Sequence, residues 1–244
     1  MDRLYSFATG NIWRWNDDPN RNALLDPIRS LDISGVELTF SSKEELYAFR
    51  PSKINREWLK SLDYVTIHAP FTLLAGGFDE TELMRQLECL SVLYHQIDAK
   101  NVVIHPERPV FDGNYLDRCD FQISTENLPR GFGISSDDLM VYLERFPRMM
   151  LCLDVAHAYF WGKRETGRLI ERFGDRISQI HFSGTYRQQD HLSLQIVSRD
   201  FLRSICPLKT LPVPIVIEED MDVSPMSYII NEINYIKQWF GDLA

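Results

Sequence analysis

The sequence predicts an α/β protein that forms one (β/α)8 TIM-barrel domain over residues 1–244. Eight short apolar segments alternate with mostly helical ones, and no linker or low-complexity tract separates them. The length agrees, because α/β barrels commonly run to roughly 200–250 residues as one unit. In such a barrel the functional residues are expected at the carboxyl ends of the strands.

The first four strands are predicted at residues 4–8, 35–38, 64–68 and 101–105. The third and fourth are β-branched runs that end in His68 and His105, and Pro70 and Pro106 follow closely after them. A helix is predicted at 22–31 after the first strand. Another is predicted at 79–97, where leucines recur on one face.

The connection between the fourth and fifth strands is unusually short. The fifth strand is predicted near 120–124, which leaves only about fourteen residues for a crossover that normally needs a full helix. Pro109 and Gly113 interrupt this segment. We therefore expect the helix between these strands to be missing or reduced to a turn.

The remaining elements follow the same alternation. A helix with a serine cap is predicted at 135–146, the sixth strand at 151–154, and a helix at 163–173. The seventh strand is predicted at 177–181, a long polar loop at 182–195, the eighth strand at 214–218 and a final helix at 225–240.

Composition narrows the partners. The 26 Lys and Arg residues against 35 Asp and Glu give a formal charge of -9, which disfavours nucleic acid as a partner. No apolar run approaches the roughly 18 residues of a membrane span, and four cysteines without C-x-x-C spacing fit reduced thiols. A cytoplasmic protein without a membrane partner is expected, and a homodimer is compatible with the sequence.

Six consecutive predicted strands end in, or run into, residues of the types that bind metals. These are His68, His105, Glu126, Asp154 with His157, His181 and Glu218. Each has an ordinary structural explanation alone, such as a helix cap for Asp154 or a hydrogen-bonded core position for a histidine. Together, at one barrel mouth, they predict a divalent-metal site. Imidazole and carboxylate ligands without thiolate suit Zn, Mn, Fe or Co.

At these positions the chain resembles the xylose isomerase-like TIM barrel superfamily. The matching motifs run in order from about residue 35 to 219 and are VTIHAP, VVIHPE, STEN, LDVAH, QIHFSG, DH followed by LSL, and VIEE. This superfamily includes sugar isomerases, ketose epimerases, hydroxypyruvate isomerases and endonuclease IV. The resemblance implies one of two kinds of catalytic site.

The epimerase-like members imply one divalent ion held by the residues matching Glu126, Asp154, His181 and Glu218. Glu126 and Glu218 would be the catalytic pair, one taking a proton from the carbon next to a carbonyl and the other returning it. Arg187, six residues after His181, matches an arginine that contacts substrate.

The endonuclease IV-like members imply three zinc ions. His68 and His105 would hold the first, Glu126 would bridge to the second, and His157 would help to hold the third. That third site also needs an Asp-x-His pair, whereas here Asp190 and His191 are adjacent. If His191 is the ligand, Gln189 occupies the carboxylate position.

The leading expectation is a metal-dependent isomerase or epimerase acting on a small sugar, sugar phosphate or hydroxy-carbonyl compound. The cofactor is expected to be Mn or Zn, one ion rather than two or three. A phosphodiester hydrolase is the alternative, and a barrel that only binds a metabolite is a third interpretation. The residues expected to contact a carbohydrate substrate are His157, Arg187, His191, Trp13, Phe71 and Glu37.

Overall fold

The computed structural model of the protein describes residues 3–187 and 189–241. Eight parallel strands close into a barrel in which each strand pairs with its neighbour in the chain and the last pairs with the first. These strands are β1 (Tyr5–Ala8), β2 (Gly35–Thr39), β3 (Tyr64–His68), β4 (Asn101–Ile104), β5 (Ile123–Glu126), β6 (Met150–Asp154), β7 (Ile177–Phe182) and β10 (Ile215–Ile217). The predicted (β/α)8 fold is confirmed.

The barrel strands are buried almost throughout, because helices and loops cover the sheet from outside and side chains fill it from inside. Strand register then sets the height of each side chain in the barrel. His68 of β3 pairs with Thr39 of β2, and Asp154 of β6 pairs with His181 of β7. Strand ends that were separate in sequence therefore meet at one rim.

The α-helices surround the barrel. They are α1 (Leu25–Ile28), α2 (Lys43–Ala48), α3 (Lys53–Ser61), α4 (Glu80–Ile97), α5 (Arg108–Asp112), α6 (Ser136–Arg145), α7 (Val155–Trp161), α8 (Glu165–Phe173), α9 (Arg199–Ile205) and α10 (Met226–Phe240). None of the helices in the described ranges combines the length and the hydrophobicity that a bilayer crossing requires.

The shortened connection after β4 is confirmed. It contains only the five-residue helix α5, with Pro109 in its first turn, and the single 3-10 turn Leu116–Arg118. The helix predicted at 22–31 is also short, since a 3-10 turn at Asn22–Leu24 leads into the four residues of α1.

Near the rim, one predicted boundary was wrong and one helix was not predicted. Strand β5 lies further along the chain than 120–124 and includes Glu126, so this carboxylate stands on the barrel wall. Helix α7 begins directly after β6, because the Asp154 side chain accepts a hydrogen bond from the His157 backbone N–H and caps the helix. His157 therefore lies in the first turn of a helix and not in a loop.

The segment predicted as a polar loop at 182–195 contains a β-hairpin. Strand β8 (Gly184–Tyr186) pairs antiparallel with β9 (Gln189–Leu192) above the barrel mouth. Two non-glycine residues of this segment, Arg187 and His191, have positive φ angles of 51° and 53°. Positive φ angles are uncommon in non-glycine residues. They interrupt the regular alternation of side chains along the hairpin at these two positions.

Candidate metal centre

Glu126, at the end of β5, is the residue around which the candidate centre is built. It is buried, and its Oε2 lies 3.4 Å from His68 Nε2, 3.6 Å from His105 Nε2 and 3.1 Å from His181 Nδ1. Its Oε1 lies 2.9 Å from His157 Nδ1. Four histidines that the sequence placed on different strands therefore converge on one carboxylate.

Backbone carbonyls fix the orientation of three of the histidines at the rim. The Nδ1–H groups of His68, His105 and His191 donate to the carbonyls of Ala69 (2.7 Å), Phe71 (2.9 Å) and Glu218 (2.9 Å), respectively. A carbonyl only accepts, so in each ring Nδ1 carries a proton and Nε2 is the nitrogen that a metal ion can bind. Outer-shell bonds of this kind are typical of histidines that bind metals.

His181 is oriented in the opposite sense. Its Nε2 lies 3.2 Å and 3.3 Å from the two carboxylate oxygens of Glu37, to which it donates a hydrogen bond. Its Nδ1 lies 3.1 Å from Glu126 Oε2 and 2.9 Å from Glu218 Oε2. Nδ1 therefore faces two carboxylates, with which it shares a proton when no ion is present and beside which its lone pair can bind an ion.

Around Glu126, four buried atoms have no hydrogen-bond partner among the described residues, namely Glu126 Oε2, Asp154 Oδ2, His181 Nδ1 and Glu218 Oε2. The two glutamate oxygens lie 3.1 Å and 2.9 Å from His181 Nδ1, and a ligand atom of Asp154 lies within 4.8 Å of one of Glu126. Buried acceptors without donors are costly, and a cation among them removes that cost. One imidazole nitrogen and three carboxylate oxygens form a donor set that suits Mn or Zn. The residues present thus fit a divalent ion.

The electrostatics of the two glutamates agree with this set. Burial alone would raise the pKa of both, but in the protein without an ion the positive charge of the protonated histidines, above all His181, holds the pKa of Glu126 well below its usual value. Burial would likewise raise the pKa of Glu218, but the charge and hydrogen bond of His181 lower it to about 2. Both glutamates are therefore ionised near neutral pH.

Asp154 and His157 respond differently to the same environment. Burial raises the pKa of Asp154 to about 6, since the charge of His157 opposes it only in part and the negative charges of Glu126 and Glu218 add to it. Burial would lower the pKa of His157, but the surrounding carboxylates, above all Asp154, hold it well above its usual value. A divalent ion beside Asp154 would supply the charge that this carboxylate lacks.

A second cluster lies beside the first and consists of His157, Asp190 and His191, whose ligand atoms are within 4.8 Å of one another. Asp190 Oδ2 lies 3.6 Å from His157 Nε2. Adjacent residues of a regular strand face opposite ways, but the positive φ of His191 breaks that alternation. The acidic member of this cluster is therefore Asp190, directly before His191, and the exposed amide side chain of Gln189 takes no part in it.

Sequence reasoning missed Asn127 as a structural member of the site. Its amide donates to the Asp154 carbonyl (2.8 Å) and accepts from the Asp154 backbone N–H (2.9 Å). Its own carbonyl accepts from His157 Nδ1 at 3.1 Å. Asn127 therefore ties the end of β5 to the cap of α7, and its place directly after Glu126 in the STEN motif was the available signal.

A cavity of about 440 Å³ opens at the barrel mouth beside this centre. Trp13, Phe71, His191 and Glu218 are among its lining residues. Glu37 is fully buried behind His181 and also accepts hydrogen bonds from Thr66 and Gln179, so it faces the barrel interior and not the cavity. Arg187 is exposed and lies over the Tyr186 ring, outside this lining.

Comparison with known proteins identifies the fold. No family model and no curated protein matches the sequence. Solved structures do match. A D-tagatose 3-epimerase-like protein superposes with a TM-score of 0.72 at 16% identity, covering 97% of this chain and 96% of its own. Endonuclease IV from Thermus thermophilus has a TM-score of 0.70 at 16% identity and coverages of 97% and 98%.

A xylose isomerase domain containing protein from Salmonella typhimurium also matches, with a TM-score of 0.67 at 14% identity and 98% coverage of both chains. Identities this low show the shared architecture only. The epimerase-like and nuclease structures match almost equally well, so the fold does not choose between their chemistries. The chain shares the (β/α)8 barrel fold of these structures.

Proposed function

We propose that this protein is a metal-dependent isomerase or epimerase that transfers a proton at the carbon next to a carbonyl of a small sugar or hydroxy-carbonyl compound. The observation that carries the proposal is the set of four unpaired buried atoms on Glu126, Asp154, His181 and Glu218. These are the four residues that the resemblance to epimerases assigns to one ion.

The two glutamates have the properties that the proton transfer needs. Both are ionised, and their Oε2 atoms approach the same His181 nitrogen at 3.1 Å and 2.9 Å. Glu218 also lines the cavity, so a substrate there can reach its carboxylate. A carboxylate base of this kind takes the proton, and the same or the opposite carboxylate returns it.

The other members hold this arrangement in place. Glu37 accepts from His181 Nε2 and keeps the Nδ1 lone pair directed at the two glutamates. His157 is held by the Asn127 carbonyl, and its imidazole is available to donate to a substrate oxygen. A divalent ion bound by the four residues would supply Lewis acidity that stabilises the negative charge developing on the carbonyl oxygen.

Solvent exchange tests this proposal directly. Protein loaded with Mn or Zn is incubated in D2O with a panel of aldoses, ketoses and hydroxy-carbonyl compounds, and NMR follows the proton next to the carbonyl. We expect deuterium incorporation at that carbon for at least one compound. A well-metallated protein that exchanges none of them would contradict the proposal. Thermal stabilisation by a compound without exchange would instead assign a binding role.

A hydrolase is the second candidate, and the cluster of His157, Asp190 and His191 favours it. With His68 and His105 also presenting Nε2 to the centre, the chain offers more ligands than a one-ion isomerase needs. Two or three ions are typical of sites that cleave phosphoesters. The test is incubation of the zinc-loaded protein with a duplex carrying an abasic site and with a small aryl phosphodiester. Absence of cleavage of both removes this candidate.

A further inference from the structure

The lining of the mouth cavity carries information about the charge of the substrate. It contains five carboxyl side chains, Glu45, Asp190, Glu218, Glu219 and Asp220, and one arginine, Arg21. In the described part of the chain, no other arginine or lysine lines this cavity. A phosphate group carries negative charge and only accepts hydrogen bonds from its surroundings, so this lining disfavours it.

The guanidinium of Arg21 is already hydrogen-bonded and paired within the protein. Its guanidinium donates to the carbonyls of Trp13 (3.0 Å) and Asn16 (2.8 Å) and pairs with the Glu45 carboxylate. Both side chains of this pair are only 12% exposed. Glu45 also accepts from the Ser41 backbone N–H at 2.8 Å, which fixes its position beside the arginine. The described lining of the cavity therefore offers no free guanidinium to a phosphate.

The same lining suits hydroxyl groups. Thr9 Oγ1 accepts from the Thr39 backbone N–H at 2.8 Å, which leaves the Thr9 hydroxyl proton available. Hydroxyls of a ligand can donate to the carboxylates and accept from the Thr9 hydroxyl. Trp13 and Phe71 add apolar surface on which the carbon skeleton of a sugar can pack.

We infer that the cavity takes an uncharged polyhydroxylated compound and discriminates against its phosphorylated form, with the Arg21–Glu45 pair as the element that withholds a cation from phosphate. This inference deepens the proposed function and rests on it for the reaction. It concerns the ligand class alone, so binding tests it separately from turnover.

The experiment is isothermal titration of the Mn-loaded protein with D-glucitol and with D-glucitol 6-phosphate. We expect glucitol to bind more tightly by about tenfold or more, because the phosphate would lose its hydration and find no unpaired guanidinium or ammonium group in the described lining. Equal or tighter binding of the phosphate overturns the inference, and so does the absence of binding by both compounds.

Two variants test the role of the Arg21–Glu45 pair. Glu45→Gln keeps the side-chain oxygen and frees the charge of Arg21, so we expect the preference for glucitol over its phosphate to narrow severalfold. Glu44→Gln makes the same charge change one residue away, on a side chain outside the cavity lining, and should leave the preference unchanged. An unchanged preference in Glu45→Gln overturns the role of the pair.

Deuterium exchange, read in parallel with free ketoses and their phosphates, separates the two conclusions. Preferred binding of glucitol without exchange of any ketose leaves the ligand class standing and removes the isomerase function. Exchange of ketose phosphates as fast as free ketoses removes the ligand class and leaves the function standing.

Discussion

The backbone N–H of His157 donates to Asp154 Oδ1 at 2.6 Å, so one carboxylate both ends strand β6 and caps helix α7. The other oxygen, Oδ2, is buried and has no hydrogen-bond partner within residues 3–187 and 189–241. The cap uses one oxygen and leaves the second unpaired in a cluster where ligand atoms of Asp154, Glu126 and His157 lie within 4.8 Å of one another. The Asp154 side chain can therefore cap the helix with one oxygen and bind a metal ion with the other.

Two substitutions at Asp154 separate these roles. Asp154→Asn keeps an oxygen for the cap but loses the charge, whereas Asp154→Ala loses both. We expect both variants to lose bound metal, and the alanine variant to be less stable than the asparagine variant by about 1 kcal/mol when both are metal-free. Elemental analysis and urea unfolding in chelator measure the two effects. Full metal occupancy in Asp154→Asn would exclude this carboxylate as a ligand.

Glu126→Gln and Glu218→Gln test the proton-transfer pair. Each removes a ligand charge and a proton carrier with little change of shape, so we expect exchange to fall by roughly 10²–10⁴-fold or more. Deuterium exchange at matched metal loading is the measurement. The control is Glu107→Gln, a rim glutamate outside the candidate centre that accepts hydrogen bonds from the Thr72 side chain and the Leu73 backbone. Exchange close to that of the control in either variant would refute the proposed mechanism.

The barrel and most of the ligand positions could be predicted because they depend on local features. Strand β3 is a β-branched run stopped just after His68, and a parallel barrel brings all such ends to one rim. The position of His157 could not be predicted, because it depends on whether Asp154 caps a helix at once or after a loop. The place of the Asp190 side chain in the second cluster could not be predicted either, since it depends on the positive φ angle of His191.

The second cluster makes a prediction about metal uptake. We expect dialysed protein to keep one ion at the Glu126 centre and to take up a further ion when zinc is in excess, because His157, Asp190 and His191 present their ligand atoms within 4.8 Å of one another. Asp190→Asn should abolish the additional uptake and keep the first ion, whereas Gln189→Ala should change neither. Zinc titration followed by elemental analysis gives both numbers. Additional uptake that survives in Asp190→Asn would place the further ion elsewhere.

Helix α6 provides a pH-dependent prediction away from the centre. Its first turn has a capping box in which Asp138 accepts from the Ser135 backbone N–H at 2.9 Å and from the Ser135 hydroxyl at 2.6 Å. The Ser135 hydroxyl is the largest of the causes that lower the pKa of Asp138. A carboxyl whose pKa is lower in the folded state stabilises the fold above its unfolded pKa and loses that effect as the pH falls through its folded pKa.

Asp138→Asn should therefore be less stable than the wild type by about 1 kcal/mol or less near pH 7, since the side chain is partly exposed. The difference should shrink as the pH falls below roughly 4, where the wild-type carboxyl also becomes neutral. Urea unfolding across this range measures it. Asp137→Asn is the matched control, because Asp137 lies in the same turn and forms an exposed pair with Arg172 at 2.6 Å. If the Asp138→Asn deficit is independent of pH, the capping bond does not depend on the ionised carboxylate.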